Sequence, residues 1–133
     1  MNINTRIYLG PLYELELKVF TEQDALDYCQ INNINSNDIT VLDLYDNKLT
    51  DISGVKIFKN LKILWISGNN ISDISVLKYL NRLEFLDIDN LRLESDQVQY
   101  INNLNNLKIL YSGKGFKDMS VLKQLNKKII IYE

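Results

Sequence analysis

Residues 39–60, ITVLDLYDNKLTDISGVKIFKN, and residues 61–82, LKILWISGNNISDISVLKYLNR, align without a gap, and this 22-residue repeat constrains the fold more than any other feature of the chain. Numbered from the first aliphatic residue, Ile39, Leu42, Leu44, Asn47, Leu49, Ile52, Val55 and Phe58 occupy positions 1, 4, 6, 9, 11, 14, 17 and 20. Leu61, Leu64, Ile66, Asn69, Ile71, Ile74, Leu77 and Leu80 match them one for one. A unit this short cannot bury its own apolar face, so its copies must stack and share one core. Apolar positions 4 and 6 alternate with polar or variable positions 3, 5 and 7, which predicts one short, half-buried strand per copy.

The pattern L-x-x-L-x-L-x-x-N-x-L resembles the leucine-rich repeat, and TDIS (50–53) and SDIS (72–75) in the second half of each copy resemble the internalin-like class in particular. An α/β fold is expected: a short solenoid with a curved parallel sheet on its concave side and short helices or 3-10 turns on its convex side. Asn47 and Asn69 should form a buried ladder that satisfies backbone groups where the chain leaves the strand. Asp51 and Asp73 should cap the following helical segments.

Two degenerate copies follow. The third starts at Leu83, keeps Leu86, Ile88 and Leu93, and has Leu91 at the asparagine position with Asn90 before it; its second half, ESDQVQYINNLNN, is two residues longer. The fourth starts at Leu107 and keeps Leu110. It has Ser112 where an aliphatic was due and Gly113-Lys114-Gly115 where the asparagine turn was due, while Asp118 and Met119 stand in for Asp73 and Ile74. The ladder should break across these copies. KKIIIYE (127–133) reads as one last strand closing the stack.

The first 38 residues differ. LYELELKV (12–19) alternates like a half-buried strand, and Gly10-Pro11 separates it from a short strand around Ile7 to Leu9, which predicts a hairpin. Thr21, three residues before Asp24, makes a loose capping box for a helix with Ala25, Leu26 and Cys29 along one face. A solenoid exposes its core at each end unless covered, so residues 1–38 are read as an N-terminal cap, 39–127 as about four repeats and 128–133 as a closing strand of one domain.

Composition narrows the function. A net charge of −2 disfavours a chain that holds nucleic acid by neutralising phosphates. With a single cysteine and no histidine, neither a disulfide within the chain nor a zinc site of the usual ligands can form, and no Ser/His/Asp or Cys/His set exists. Cys29 is expected in the core rather than as a nucleophile. The start has no apolar run behind a basic head, and no stretch is apolar enough to span a bilayer, so a cytoplasmic protein without membrane contact is expected.

In a repeat protein the shared positions make the fold and the variable ones make the surface. Positions 3, 5 and 7 line up across the copies as three rows on the concave face. Position 3 gives Val41, Ile63, Phe85 and Ile109; position 5 gives Asp43, Trp65, Asp87 and Tyr111; position 7 gives Tyr45, Ser67, Asp89 and Gly113. An apolar row beside the only tryptophan, with Tyr45 and Tyr111 at its flanks, has the composition of an interface hot spot. The candidate partner-binding residues are Val41, Asp43, Tyr45, Ile63, Trp65, Phe85, Asp87, Asp89, Ile109 and Tyr111. Asp43 and Asp87 lie two strands apart, about 9–10 Å, too far for one ion to bridge; Asp87 and Asp89 could at most share a cation.

The first expectation is therefore a non-enzymatic interaction module, needing no cofactor, that holds a protein partner on its concave face. The second is a small acidic antagonist or immunity-type inhibitor whose Asp-rimmed aromatic patch blocks a basic site. An enzyme using Asp87 and Asp89 with a metal comes third. Pairing along the closing strand would allow a weak homodimer in place of a monomer.

Overall fold

A computed structural model describes residues 6–8 and 18–133. Its core is a six-stranded parallel sheet in sequential order: β1 (Arg6–Tyr8), β2 (Val41–Asp43), β3 (Ile63–Trp65), β4 (Phe85–Asp87), β5 (Ile109–Tyr111) and β6 (Ile130–Tyr132). The register is the repeat itself: Val41, Ile63, Phe85 and Ile109 pair along one row, and Asp43, Trp65, Asp87 and Tyr111 along the next. Each strand is three residues long, and backbone bonds between coils continue past it, from the Leu44 N–H to the Trp65 carbonyl and from the Ile66 N–H to the Asp87 carbonyl. Leu42, Leu44, Leu64, Ile66, Leu86 and Ile88 are fully buried beneath the sheet. Burying each such side chain contributes about 1.5–3 kcal/mol.

On the convex side the first two repeats form 3-10 turns, Ser53–Ile57 and Ser75–Tyr79. The Ser53 N–H donates to Asp51 Oδ1 at 2.7 Å and the Ser75 N–H to Asp73 Oδ1 at 2.8 Å, so each aspartate satisfies a donor at the turn's start. Asp118 does the same for Ser120 at the head of the turn Met119–Gln124. The hydrogen bonds from Ser75 and Ser120 hold the Asp73 and Asp118 carboxyls below the usual carboxylate range. The two extra residues of the third repeat are absorbed by a 3-10 turn, Ser95–Gln97, that runs into a short helix, α2 (Val98–Asn102).

The asparagine ladder forms in the first two copies and both members are buried. Asn69 Oδ1 accepts the N–H groups of Asn47 (2.9 Å) and Leu49 (3.0 Å), while its Nδ2 donates to the carbonyls of Leu44, Ile66 and Ser67. Asn47 Nδ2 donates to Leu44 and Tyr45. One residue before each Asn, at position 8, Asp46 and Gly68 have φ of 54° and 71°, and Asn90 in the third copy has 65°. Asp, Gly and Asn are the residues that adopt the left-handed region at least cost.

The predicted hairpin falls mostly on residues outside the described ones. What is described is parallel pairing at two places: β1 with β2, and Val19 with Asp51. Ile7 and Phe20 are thereby buried at the head of the stack, with the Phe20 and Phe58 rings stacked 6.4 Å apart. The described N-terminal residues thus pair with the first repeat as one coil does with the next, with α1 (Glu22–Ile31) where a 3-10 turn would be. Thr21 and Asp24 close a complete capping box. The helix packs on the Ser53–Ile57 turn through Ala25 and Cys29, and burial pushes the Cys29 thiol up.

Leu26 corrects the expectation: it is 46% exposed, because one residue beyond Ala25 lies about 100° further around the helix. Gly54 is what admits the cap. A Cβ there would sit 2.2 Å from the Thr21 carbonyl oxygen, and the second repeat, with no such segment against it, has Val76 at the same position.

Candidate functional site

The position-3 row is half-buried throughout, at Val41, Ile63, Phe85 and Ile109. Its side chains stand on a sheet whose strands are about 4.8 Å apart, so each shields its neighbours while leaving an apolar surface open. Trp65, also half-buried, meets Phe85 edge to face at 6.1 Å; Phe85 meets Tyr111 at 5.2 Å; and Tyr111 stacks on Tyr132 at 5.2 Å. Four rings therefore run unbroken from β3 to β6. Tyr111 and Tyr132 are 42% and 48% exposed, which leaves much of their ring surface open to a partner.

Three contributors to this face were not among the sequence candidates. Ile130 and Tyr132 of β6 continue rows 3 and 5, and Tyr8 of β1 sits opposite Asp43 at the other end. The signal was present: Ile130-Ile131-Tyr132 repeats Ile109-Leu110-Tyr111 almost letter for letter.

The acidic residues divide into two kinds. Asp43 is only 8% exposed and its Oδ1 accepts the Tyr45 N–H at 3.0 Å. Asp87 does the same for the Asp89 N–H at 3.0 Å and also accepts the Ser67 hydroxyl at 3.2 Å. Both aspartates bind the backbone as the chain leaves the strand, a local turn device. Burial raises the Asp87 pKa, and the nearby Asp89 and Asp43 charges add to the effect.

Asp89 is exposed, yet it too serves the fold: its Oδ1 accepts the Lys114 N–H at 2.9 Å. Gly113, with φ of 42°, makes room for it, since a Cβ there would lie 1.9 Å from that oxygen. Asp46, exposed at the turn, and Tyr45, 56% exposed, complete the rim near β2.

Among the described residues no three His, Cys, Asp or Glu side chains converge as a metal site. Asp87 and Asp89 are joined by the backbone bond above and directed to different partners. Beside the aromatic row, at positions 7 and 8, lies an open groove of about 540 Å3 between Tyr45 and Glu133, floored by Ser67, Gly68 and Gly113. No described helix is long and apolar enough to cross a membrane.

A sequence profile for leucine-rich repeats (two copies) matches residues 38–79 and 59–97. Leucine-rich repeat-containing protein 56 of Mus musculus is 44% identical over 54 residues, covering 40% of this chain and 10% of that protein, and its Rattus norvegicus counterpart matches to the same extent. The chain thus spans about a tenth of the length of these curated relatives. The crystal structure of an internalin from Listeria monocytogenes superposes with a TM-score of 0.62 at 33% identity, over 71% of this chain and 28% of that one. Repeat pattern, sheet register and these likenesses agree: the chain is a leucine-rich repeat protein whose repeats resemble the internalin-like 22-residue class.

Proposed function

We propose that the chain is a non-enzymatic interaction module that holds a protein partner on its concave face. The observation that carries this reading is the four-ring row from Trp65 to Tyr132, half-open on a sheet otherwise packed beneath by aliphatics. Aromatic rings give large contact area with few torsions to freeze, and such residues dominate binding energy at interfaces. Val41, Ile63, Phe85 and Ile109 supply the apolar floor, Trp65 and Tyr111 the anchors, and Tyr45 with Asp89 the rim. Asp43 and Asp87 act mainly by holding the rim's backbone. The likeness to an internalin supports the class of function and does not name the partner.

The antagonist reading draws on the exposed acids, Asp46 and Asp89, which would meet a basic site. A charge-steered inhibitor loses association rate as salt rises, whereas an apolar dock changes little.

The test is affinity capture from native lysate, followed by calorimetry with the isolated partner, comparing wild type with a Trp65→Ala, Phe85→Ala double variant of matched melting temperature. Loss of about 2 kcal/mol or more of binding energy is expected. Undiminished affinity in the folded variant would remove the concave face from the function.

A further inference from the structure

The convex flank of the first two repeats carries a surface of opposite character. Lys56 and Lys78 occupy the same position, 18, in successive copies, so stacking sets like charges one above the other. Tyr79, 50% exposed, lies between them: the Lys56 and Lys78 ammonium groups stand 5.8 Å and 5.2 Å from its ring centroid. Lys59 and Arg82 open onto the same groove, which has a volume of about 820 Å3. Glu22 of α1 pairs with Lys56 at 2.8 Å, and among the described residues neither Lys59 nor Arg82 makes an ion pair.

Like charges brought together by stacking repel one another, and nothing in the repeat requires them: the positions that hold the coil together in both copies are the aliphatics and Asn, whereas position 18 faces outward. The neighbouring repeat has no cation in this row, since its longer second half places Tyr100 and a run of asparagines there. The third repeat thus separates the basic patch of the first two coils from Lys123, Lys127 and Lys128 of the fourth. That patch is concentrated on a chain whose total charge is −2, so the rest of the surface is more acidic than the total suggests.

We infer that this flank is a second docking surface, for an acidic segment of a protein. Carboxylates spaced along an extended chain would meet Lys59, Lys78 and Arg82 in turn, while an apolar side chain among them packs on the Tyr79 ring. The patch is interrupted by the asparagines of the third repeat, whereas a nucleic-acid backbone is tracked by a continuous basic stripe. The surface is separate from the concave row, so the two can be occupied together.

The probe is fluorescein-labelled decaglutamate, titrated at low salt and followed by anisotropy. Saturable binding is expected, weakened about tenfold or more by Lys59→Glu with Arg82→Glu, both exposed positions whose variant should melt with wild type. A Tyr79→Ala variant, with every charge kept, should also bind more weakly. The inference is overturned by absence of saturable binding, by undiminished affinity in the charge-reversed variant, by an equal loss from Lys114→Glu with Lys123→Glu, or by tighter binding of a single-stranded RNA of equal charge.

Discussion

Residues 39–82 and residues 83–127 solve the same problem in different ways. In the first pair of repeats the turn leaving each strand is held from within, by the buried amides of Asn47 and Asn69. In the second pair the amide is gone. The Leu91 side chain is buried in its place, and the turn is held from outside, by Asp89 reaching over Gly113 to the Lys114 N–H. The next coil then pairs its second half directly, Leu93 with Phe116, much as Val19 pairs with Asp51 at the other end of the stack. The ladder is therefore one means of satisfying the turn, and a repeat that loses it keeps its place if backbone pairing and a surface carboxylate take over.

This comparison breaks most readily at Asn69. Asn69→Leu, which copies the third repeat into the second, strands the N–H groups of Asn47 and Leu49 and takes the donor from the Ile66 carbonyl, whereas the Leu44 and Ser67 carbonyls keep Asn47 Nδ2 and the Asp46 N–H. Unsatisfied buried groups cost about 1–3 kcal/mol each, so a loss of roughly 3 kcal/mol or more is expected in urea melts. A loss under about 1 kcal/mol would mean that the regular repeats do not depend on the ladder.

A cycle in the second pair sharpens the contrast. Gly113→Ala alone should cost about 1–3 kcal/mol, because the new methyl meets the Asp89 carboxylate. Asp89→Ala alone should cost about 1 kcal/mol for the lost acceptor. The double variant should be less unstable than the two losses added together, since removing the Asp89 carboxylate takes away the closest contacts and leaves only its Cβ at 2.8 Å. Strict additivity in denaturant melts would refute the contact.

The smallest effect contrasts two kinds of aspartate. Asp73 and Asp118 have folded pKa values below the unfolded one, so their contribution is present above the unfolded pKa and is lost as pH falls through the folded value. Asp87 is raised, so it favours the fold below the unfolded pKa and loses that as pH rises through its folded value. Asp87→Asn keeps an acceptor for the Asp89 N–H without a half-buried charge. It should raise the melting temperature slightly at neutral pH, with the gain vanishing in acid, whereas Asp73→Asn should lower it at neutral pH. A neutral-pH loss on Asp87→Asn would assign that carboxylate an attractive role.

Much of this was legible in the residues. The 22-residue spacing gave the coil, the row assignments of positions 3 and 5, the Asn47–Asn69 ladder and the aspartates that cap the convex turns, because each depends on contacts between neighbours in an exact repeat. What failed to show was whatever departs from the repeat. Leu26 points outward because the helix lies on the first turn by its other face. The concave carboxylates look like a binding rim, yet Asp43 and Asp87 are bound to the backbone two residues on.

By itself, then, the sequence determined the period, the buried aliphatic set and which residues share a row, since stacking turns equal spacing into adjacency. Only the tertiary structure decided the rest. Parallel pairing added Tyr8 at one end of the row and Ile130 with Tyr132 at the other, and ring contacts joined Trp65 to Tyr132 across four strands. Those depend on where irregular segments dock. Docking is set by close approach, such as the backbone of Phe20 and Thr21 ahead of α1 against Gly54, and no spacing within one copy encodes it.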